Sequence, residues 1–311
     1  MHASPSPALP LRLLQTLDVA EHPEGRPPFI SSGSGLELFG AWAYVAVDDE
    51  CHIGVYPRSP GTIGRLSRVL PGALPADPDE RKAAKPDLET VCSLVTASGT
   101  VLLGLPSGSS ANRMTGFAQP LDATGMLSGE PRPVDCRPLL DAIDAEFDPE
   151  VNLEGAAALG DEFVFLLRSS TGQNHVATLS TRAVQEDIAA GHLSSRALER
   201  IEPCDLGELD GTPLGFSDAA VMGDRLLFTA SAEATTSAYH DGEVVGSVVG
   251  TLGPGCTAID VHRFDAVEKV EGLAVADRIG SELVLWLVTD DDQPDKAARL
   301  LEARIPIPGL S

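Results

Sequence analysis

The chain has 311 residues, of which 43% are hydrophobic and 22% charged, a composition that supports a sizeable apolar core and excludes intrinsic disorder. Its formal net charge of −24 repels phosphate backbones and anionic lipid surfaces, so neither nucleic acid nor a membrane is expected as a partner. No apolar run approaches the roughly 20 residues of a membrane-spanning helix and no signal peptide is recognisable, so a cytoplasmic location is expected. The 5 cysteines are odd in number and widely spaced, which predicts reduced thiols.

Short apolar segments closed by turn residues follow one another along the chain, which predicts an all-β fold. Strands are predicted at 11–19, 42–47, 101–105, 163–167 and 283–288. The proline-rich segment 71–86 is expected to be a loop. Two stretches, 138–147 and 181–191, space their apolar residues at helical intervals and are predicted as short helices inserted on the β scaffold.

Five segments share one pattern: a small or acidic residue, an apolar run, a Gly-containing turn, and a second apolar run that ends in polar residues. Successive segments start 53 to 65 residues apart. Units of this length suit the four-stranded blades of a β-propeller, which bury their faces only when neighbouring blades stack around an axis. The sequence therefore predicts a single propeller domain over 1–311, with five blades favoured and six possible. The segments start at Ser34, Glu89, Glu154, Asp218 and Glu271.

The strand at 11–19 is expected to close this ring by pairing with C-terminal strands around LEARIPI at 301–307. Such pairing removes an exposed sheet edge. A chain of 311 residues would then form one continuous circle of blades.

The five starting residues are expected to open the innermost strands and to face the propeller axis. Two unit charges about 6 Å apart repel by roughly 3 kcal/mol at an effective dielectric constant near 20, so four converging carboxylates need compensation. Protonation, entering basic residues or a bound divalent cation would each supply it. No Lys or Arg adjoins any of the five starting residues, and oxygen ligands in a wide ring suit calcium, so the sequence predicts a Ca2+ site. The alternative is that these acids are ordinary turn residues.

Three stretches of the chain carry a family resemblance. NLEGAAALGDEFVFLLRSS, LGFSDAAVMGDRLLFTASAE and KVEGLAVAD resemble an uncharacterised bacterial protein family, a domain of unknown function. This likeness covers most of the chain and implies no activity.

A more distant, architectural resemblance is to the soluble calcium-activated nucleotidases (apyrases), five-bladed propellers that hold a central calcium ion with one residue per blade. That resemblance implies that Ser34, Glu89, Glu154, Asp218 and Glu271 are the metal ligands. Asp218 departs from the Ser associated with the fourth position of the apyrases.

The polar residues that close the second strand of each unit are expected to share one rim with the acids, because a hairpin brings its end back to its beginning. Arg113 and Arg168 are isolated cations there and, with Asp290, are candidates for binding an anionic substrate. Glu233 and Asp49 are candidates for activating a water molecule. Pairing of the two arginines with the acidic rim is the equally weighted alternative.

Two functions follow from this site. The first is a calcium-dependent hydrolase of a small anionic phosphoester, phosphoanhydride or lactone. The second is a non-catalytic propeller with a structural metal and a rim that binds a ligand or a protein. No nucleophile elbow, phosphate-binding loop, zinc-protease motif or dinucleotide fingerprint favours another enzyme class.

Overall fold

A computed structural model describes residues 8–146, 152–169, 173–234, 243–291 and 293–307. These residues form an all-β fold of five sheets around one axis, a five-bladed β-propeller. The prediction of five blades is confirmed, and no sixth blade is hidden among the described residues.

The first strand, β1 (Arg12–Thr16), belongs to the last blade, and the first blade follows it in the chain. Blade 1 contains β2 (Gly33–Phe39), β3 (Trp42–Val47), β4 (His52–Pro57) and β5 (Arg65–Arg68), numbered from the inside outwards. Blade 2 contains β6 (Leu88–Thr96), β7 (Gly99–Pro106), β8 (Thr115–Pro120) and β9 (Arg132–Asp135).

The third blade has the same antiparallel order, and the fourth is larger. Blade 3 contains β10 (Leu153–Leu159), β11 (Glu162–Leu167), β12 (Asn174–Ser180) and β13 (Leu198–Cys204). Blade 4 adds the short β14 (Glu208–Leu209) to β15 (Thr212–Met222), β16 (Arg225–Ala234), β17 (Glu243–Gly253) and β18 (Thr257–Arg263).

Blade 5 is completed by both ends of the chain. It contains β19 (Val270–Ile279), β20 (Glu282–Thr289), β21 (Arg299–Pro306) and, outermost, β1. β1 pairs antiparallel with β21, with Arg12 opposite Glu302 and Leu13 opposite Leu301. The N-terminal strand thus closes the circle of blades as the outermost strand of blade 5.

The described residues also form three short α-helices, which lie between strands of the blades. Two of them, α2 (Arg137–Asp144) and α3 (Thr181–Ala190), were expected near these positions, and Gly191 ends α3 in a left-handed conformation at φ 82°. Phe147, the last residue of the predicted helix 138–147, lies outside the described residues. The helix α1 (Pro78–Ala84) corrects the expected loop at 71–86, because the Asp77 side chain caps the amides of Asp79 and Glu80 and Pro is favoured in a first turn.

Five apolar clusters fill the interfaces between neighbouring blades. Between blades 2 and 3, for example, Leu103 and Phe165 pack with Leu139 of α2 and Ile188 of α3. Burial of these faces against neighbouring blades stabilises the propeller. All five cysteines are free thiols, as the sequence predicts.

Candidate functional site

All five inner strands carry a β-bulge, which lies at the first residues of β2, β6, β10 and β19 and further along the strand in β15. The register of each inner strand shifts there, and the residue skipped in the pairing is the bulged one. We call these five residues the ring: Ser34, Glu89, Glu154, Ser217 and Glu271. Bulges turn side chains out of the regular pleat and are common beside functional sites, and a bulge at the equivalent position recurs in every blade.

The expectation that Asp218 opens the fourth blade at the equivalent position is wrong by one residue. The shift in β15 lies between Phe216 and Asp218, which leaves Ser217 as the equivalent of Glu154. The ring therefore has two serines and three glutamates, and Asp218 occupies the next position along the strand.

The position after each ring residue brings the inner strands together. A Cβ atom on Gly35 would lie 2.8 Å from the Glu89 carbonyl oxygen, and one on Gly155 would lie 2.8 Å from the Ala219 nitrogen. At Gly272 it would lie 2.9 Å from the Gly35 carbonyl carbon. Glycine at these three positions lets adjacent backbones meet, so the ring residues lie close to one axis.

Asp218 fills the space below the ring. Its Oδ2 accepts hydrogen bonds from the amides of Leu36 (3.2 Å) and Leu273 (2.9 Å), and its Oδ1 accepts one from Thr90 Oγ1 (3.2 Å). The side chain therefore ties blade 4 to blades 1, 2 and 5 across the axis. Burial raises its pKa well above the ordinary value, and the hydrogen bonds oppose that rise.

The three ring glutamates influence one another electrostatically. Burial raises the pKa of Glu89 well above its usual range, and the charges of Asp87 and Glu154 raise it further. Burial also raises the pKa of Glu154, and Glu271 and Glu233 add to the rise against the opposing Arg168 and Lys269. Carboxylates from blades 2, 3 and 5 therefore affect one another's pKa, and a shared metal site stays a prediction.

A second set of residues lies two positions before each ring residue, and we call it the upper tier. Its members are Ser32, Asp87, Asn152, Gly215 and Lys269. Asn152 Nδ2 donates to Glu154 Oε1 over 2.6 Å, and Lys269 Nζ lies 3.4 Å from Glu271 Oε1. This tier was not predicted from the sequence, although counting two residues back from the predicted repeat starts gives four of its five members; the start at Asp218 gives Phe216 in place of Gly215.

The residues that close the second strands lie beside the upper tier, as predicted from the hairpins. The amide of Ser107 donates to the Asp87 carbonyl (2.9 Å), that of Arg168 to Asn152 (2.8 Å) and that of Asp290 to Lys269 (3.2 Å). The ring, the tier and the ends of the second strands thus form one polar surface, which we call the mouth. It lies at the end of the propeller axis where the inner strands begin.

Basic side chains also enter this mouth, which is one of the three ways of compensating the acids that the sequence left open. Lys85 Nζ contacts Asp48 and lies 2.7 Å from Asp87 Oδ1. Arg168 lies 3.6 Å from Glu154 and also pairs with Glu233. Its side chain lies over Gly215, where a Cβ would come within 2.8 Å of the guanidinium Nε.

Arg113 pairs with the tier rather than with the ring. Its Nη1 lies 2.8 Å from Asp87 Oδ2 and 2.9 Å from Ser109 Oγ. Ser107 Oγ donates to the same Asp87 oxygen over 2.5 Å. Both predicted substrate-binding arginines therefore already contact protein carboxylates.

One group of acids is close enough to share a small cation. Asp48, Asp87 and Glu89 each offer an oxygen within 4.8 Å of the others, and among the described residues the three ring glutamates do not approach one another this closely. The neighbouring Lys85 lowers the pKa of Asp48 against the burial that raises it.

Asp49, the other predicted water-activating residue, binds to the upper tier and to helix α1. Its carboxylate accepts from Ser32 Oγ over 2.8 Å and from Arg81 Nε over 3.0 Å. Burial raises its pKa, and the charges of Asp48 and Glu50 raise it further. Asp49 thereby links the mouth to helix α1, which lies between blades 1 and 2 in the chain.

Beyond Asp49 lies a pocket of about 260 Å³ whose lining includes Arg26, Phe29, Glu50 and Arg81. Glu50 Oε1 is 2.8 Å from His22 Nε2. Although burial raises the pKa of Glu50, hydrogen bonds from His22 and His52 bring it to about 2. Because Arg81 contacts both this pocket and Asp49, the pocket adjoins the mouth.

The fold and the mouth together define a class: a five-bladed β-propeller with an acidic, lysine-containing centre. The chain belongs to a family of unknown function, DUF6929, whose model matches residues 29–305. This confirms the resemblance to an uncharacterised family. No curated protein matches the chain, and the resemblance to the apyrases stays a prediction.

Solved structures of low sequence identity share the fold. An α-L-arabinofuranosidase catalytic domain of Coprinopsis cinerea has 8% identity and a TM-score of 0.50, covering 95% of this chain and 97% of that one. The glutaminyl cyclase of Myxococcus xanthus has 10% identity and a TM-score of 0.46, covering 96% and 100%. At these identities the likeness shows the fold alone. None of the helices among the described residues is long and apolar enough to cross a membrane.

Proposed function

We propose that the mouth is a calcium centre at which the protein hydrolyses a small anionic phosphoester, phosphoanhydride or lactone. The observation that supports this most is the convergence of Glu89, Glu154 and Glu271 from three blades, with the charges of Glu154 and Glu271 raising the pKa of a neighbouring ring glutamate. Buried carboxylates that repel one another are stabilised by a shared cation.

The donor set of the ring suits calcium. It consists of carboxylate and hydroxyl oxygens, with no histidine or cysteine at any of its five positions, and calcium takes six to eight oxygen ligands in a flexible geometry. Within the ion pairs of the mouth, the acids outnumber the bases by two. The acids are Asp48, Asp87, Glu89, Glu154, Glu233 and Glu271, and the bases are Lys85, Arg113, Arg168 and Lys269.

The side chains around the ring would activate water and bind the substrate. A bound calcium ion would supply polarisation of a phosphoryl or carbonyl oxygen. Arg168 holds Glu233 beside Glu154, so we assign the water-activating role to Glu233 rather than to Asp49. Arg113 and Asp290 lie on the rim, and the pocket beyond Asp49 receives the part of the substrate that does not react.

A second candidate is a propeller whose calcium has only a structural role. It is favoured by the contacts of Arg113 with Asp87 and of Arg168 with Glu154 and Glu233, because paired arginines stabilise an acidic rim without any substrate. The rim would then bind a ligand or a protein without turnover.

The test combines metal analysis, melting and turnover of the full chain. Purified protein should contain calcium at one equivalent, and a chelator should lower its melting temperature by roughly 5 °C or more. Turnover of p-nitrophenyl phosphate, a nucleoside diphosphate or dihydrocoumarin that is lost with the chelator and restored by calcium supports the hydrolase. A melting shift without turnover of any of the three supports the structural role, and no calcium with no shift refutes both.

The variant Glu154→Gln tests the shared site directly. It should weaken calcium binding at least tenfold and, in chelator, leave the protein as stable as wild type or more so, because one repelling charge is gone while the Oε1 acceptor for Asn152 remains. Calorimetric titration and melting curves measure both effects. The exposed Glu208→Gln is the matched control, and an unchanged calcium affinity in Glu154→Gln would rule out the shared site.

A further inference from the structure

Lys269 holds a central place among the acids of the mouth. Only 9% of the residue is exposed, and its Nζ lies 3.4 Å from Glu271 Oε1. Its charge also lowers the pKa of Glu154 in blade 3 and of Asp48 in blade 1. One ammonium group therefore interacts electrostatically with carboxylates from three blades.

Lys269 is the one basic residue of the upper tier, whose other members are neutral or acidic. Its backbone is fixed by the hydrogen bond from Asp290 N to its carbonyl (3.2 Å), and the next residue, Val270, donates to Ser247 Oγ (3.1 Å). The Lys269 side chain thus extends from backbone that is held by hydrogen bonds, and its ammonium group lies beside Glu271.

A resident ammonium changes which cations the ring accepts. A cation that enters beside Glu271 and Glu154 has to displace the ammonium or repel it. A monovalent cation brings the same single charge as the ammonium it displaces, so the carboxylates gain nothing electrostatically. A divalent cation brings twice that charge and compensates for the displacement.

We propose that Lys269 determines the cation specificity of the mouth: it is a built-in monovalent counter-ion that only a divalent cation displaces. This inference rests on the proposed calcium centre and adds to it a residue that selects the ion. Lys269 acts through Glu271 and Glu154 and is a positioning residue of the site.

The test compares Lys269→Met with wild type by calorimetric calcium titration of chelator-treated full chain, in sodium chloride and in choline chloride at equal ionic strength. Wild type should give the same dissociation constant in both salts. Lys269→Met should bind calcium about tenfold more tightly in choline chloride and lose most of that gain in sodium chloride, because sodium ions can now occupy the ring. Lys269→Arg, which keeps the charge, should behave as wild type.

Lys296→Met is the matched control, because that lysine pairs with Asp291 at 2.9 Å but its side chain is 45% exposed. Its calcium affinity should equal that of wild type in both salts. An unchanged or weaker affinity in Lys269→Met, or equal affinities in the two salts, would overturn the role of Lys269.

A melting series without calcium separates this inference from the proposed function. Metal-free Lys269→Met should melt several degrees higher in sodium chloride than in choline chloride, whereas wild type should show no difference. If wild type bound no calcium, the calcium centre would fail, and the sodium effect alone would decide the role of Lys269. If Lys269→Met did not fold in either salt, Lys269→Gln would take its place with the same expected results.

Discussion

Asp187, on the outer side of blade 3, and Glu154, at the inner edge of the same blade, are both buried carboxylates with opposite surroundings. Asp187 accepts hydrogen bonds from the amide (2.7 Å) and hydroxyl (2.6 Å) of Ser194, and Arg196 donates to its other oxygen. These bonds lower the pKa of Asp187 despite the opposing effect of burial. At Glu154 burial and neighbouring acids raise the pKa despite Arg168.

The difference between the two sites is how directly the nearby cation binds the carboxylate. Arg196 approaches Asp187 at 2.5 Å, and a single local loop supplies the donors. Arg168 is divided between Glu154 and Glu233, and Lys269 between several acids. At Asp187 the protein itself satisfies the hydrogen bonds and the charge of the buried carboxylate. At the inner edge the carboxylates outnumber the basic groups, and a bound cation can compensate for the excess negative charge.

The largest effect is expected where a carboxylate joins several blades. Asp218→Ala removes the acceptor for the buried amides of Leu36 and Leu273, so the free energy of unfolding should fall by about 3 kcal/mol. Urea unfolding with an unchanged m-value measures it. Asp224→Ala, at an exposed turn of the same blade, should change stability by under ~0.5 kcal/mol. A loss below ~1 kcal/mol for Asp218→Ala would mean that the axis does not depend on this side chain.

A smaller loss is expected at the outer site. Asp187→Ala leaves the Ser194 amide without its side-chain acceptor and should cost about 2 kcal/mol. The loss should be the same with calcium and with chelator, because Asp187 is satisfied by its own loop. Arg200→Ala is the control, since its partners Glu162 and Glu202 are exposed. A calcium-dependent loss at Asp187 would contradict the independence of the two regions.

The blade count was predictable because every blade repeats the same local pattern, from a ring residue through an apolar strand to a Gly-containing turn. The register of blade 4 was not. Gly35, Gly155 and Gly272 follow their ring residues, but Asp218 takes that place after Ser217, and an acidic residue there imitates a ring residue. A one-residue shift of this kind depends on the bulge geometry, which a hydrophobic pattern does not report.

The two lysines of the mouth were not predicted, for a different reason. Neither adjoins a ring residue, since Lys269 precedes Glu271 by two residues and Lys85 precedes Glu89 by four. A long flexible lysine stem can reach the ring from such positions. The pairing of Arg168 with Glu233 joins two blades, and no local sequence signal predicts a contact between them.

The smallest effect on stability is expected at Glu37, where burial raises the pKa without a neighbouring acid among the causes. Glu37, on the inner strand of blade 1, has a pKa raised by burial from 4.5 to about 7, against hydrogen bonds from Ser93. Because the folded state holds this proton more tightly than the unfolded state, its contribution to stability is full below about pH 4.5 and is lost as the pH rises through 7. Glu37→Gln should therefore gain on the order of 1 kcal/mol relative to wild type between pH 5 and pH 8.

Urea unfolding of Glu37→Gln and wild type at pH 5 and pH 8, both in chelator, measures this gain. The exposed Glu282→Gln should show none. Equal pH dependence in Glu37→Gln and wild type would mean that burial alone does not raise a carboxyl pKa at this inner edge. The raised pKa values of Glu89 and Glu154 would then be due to their like-charged neighbours, which is the condition that a shared cation relieves.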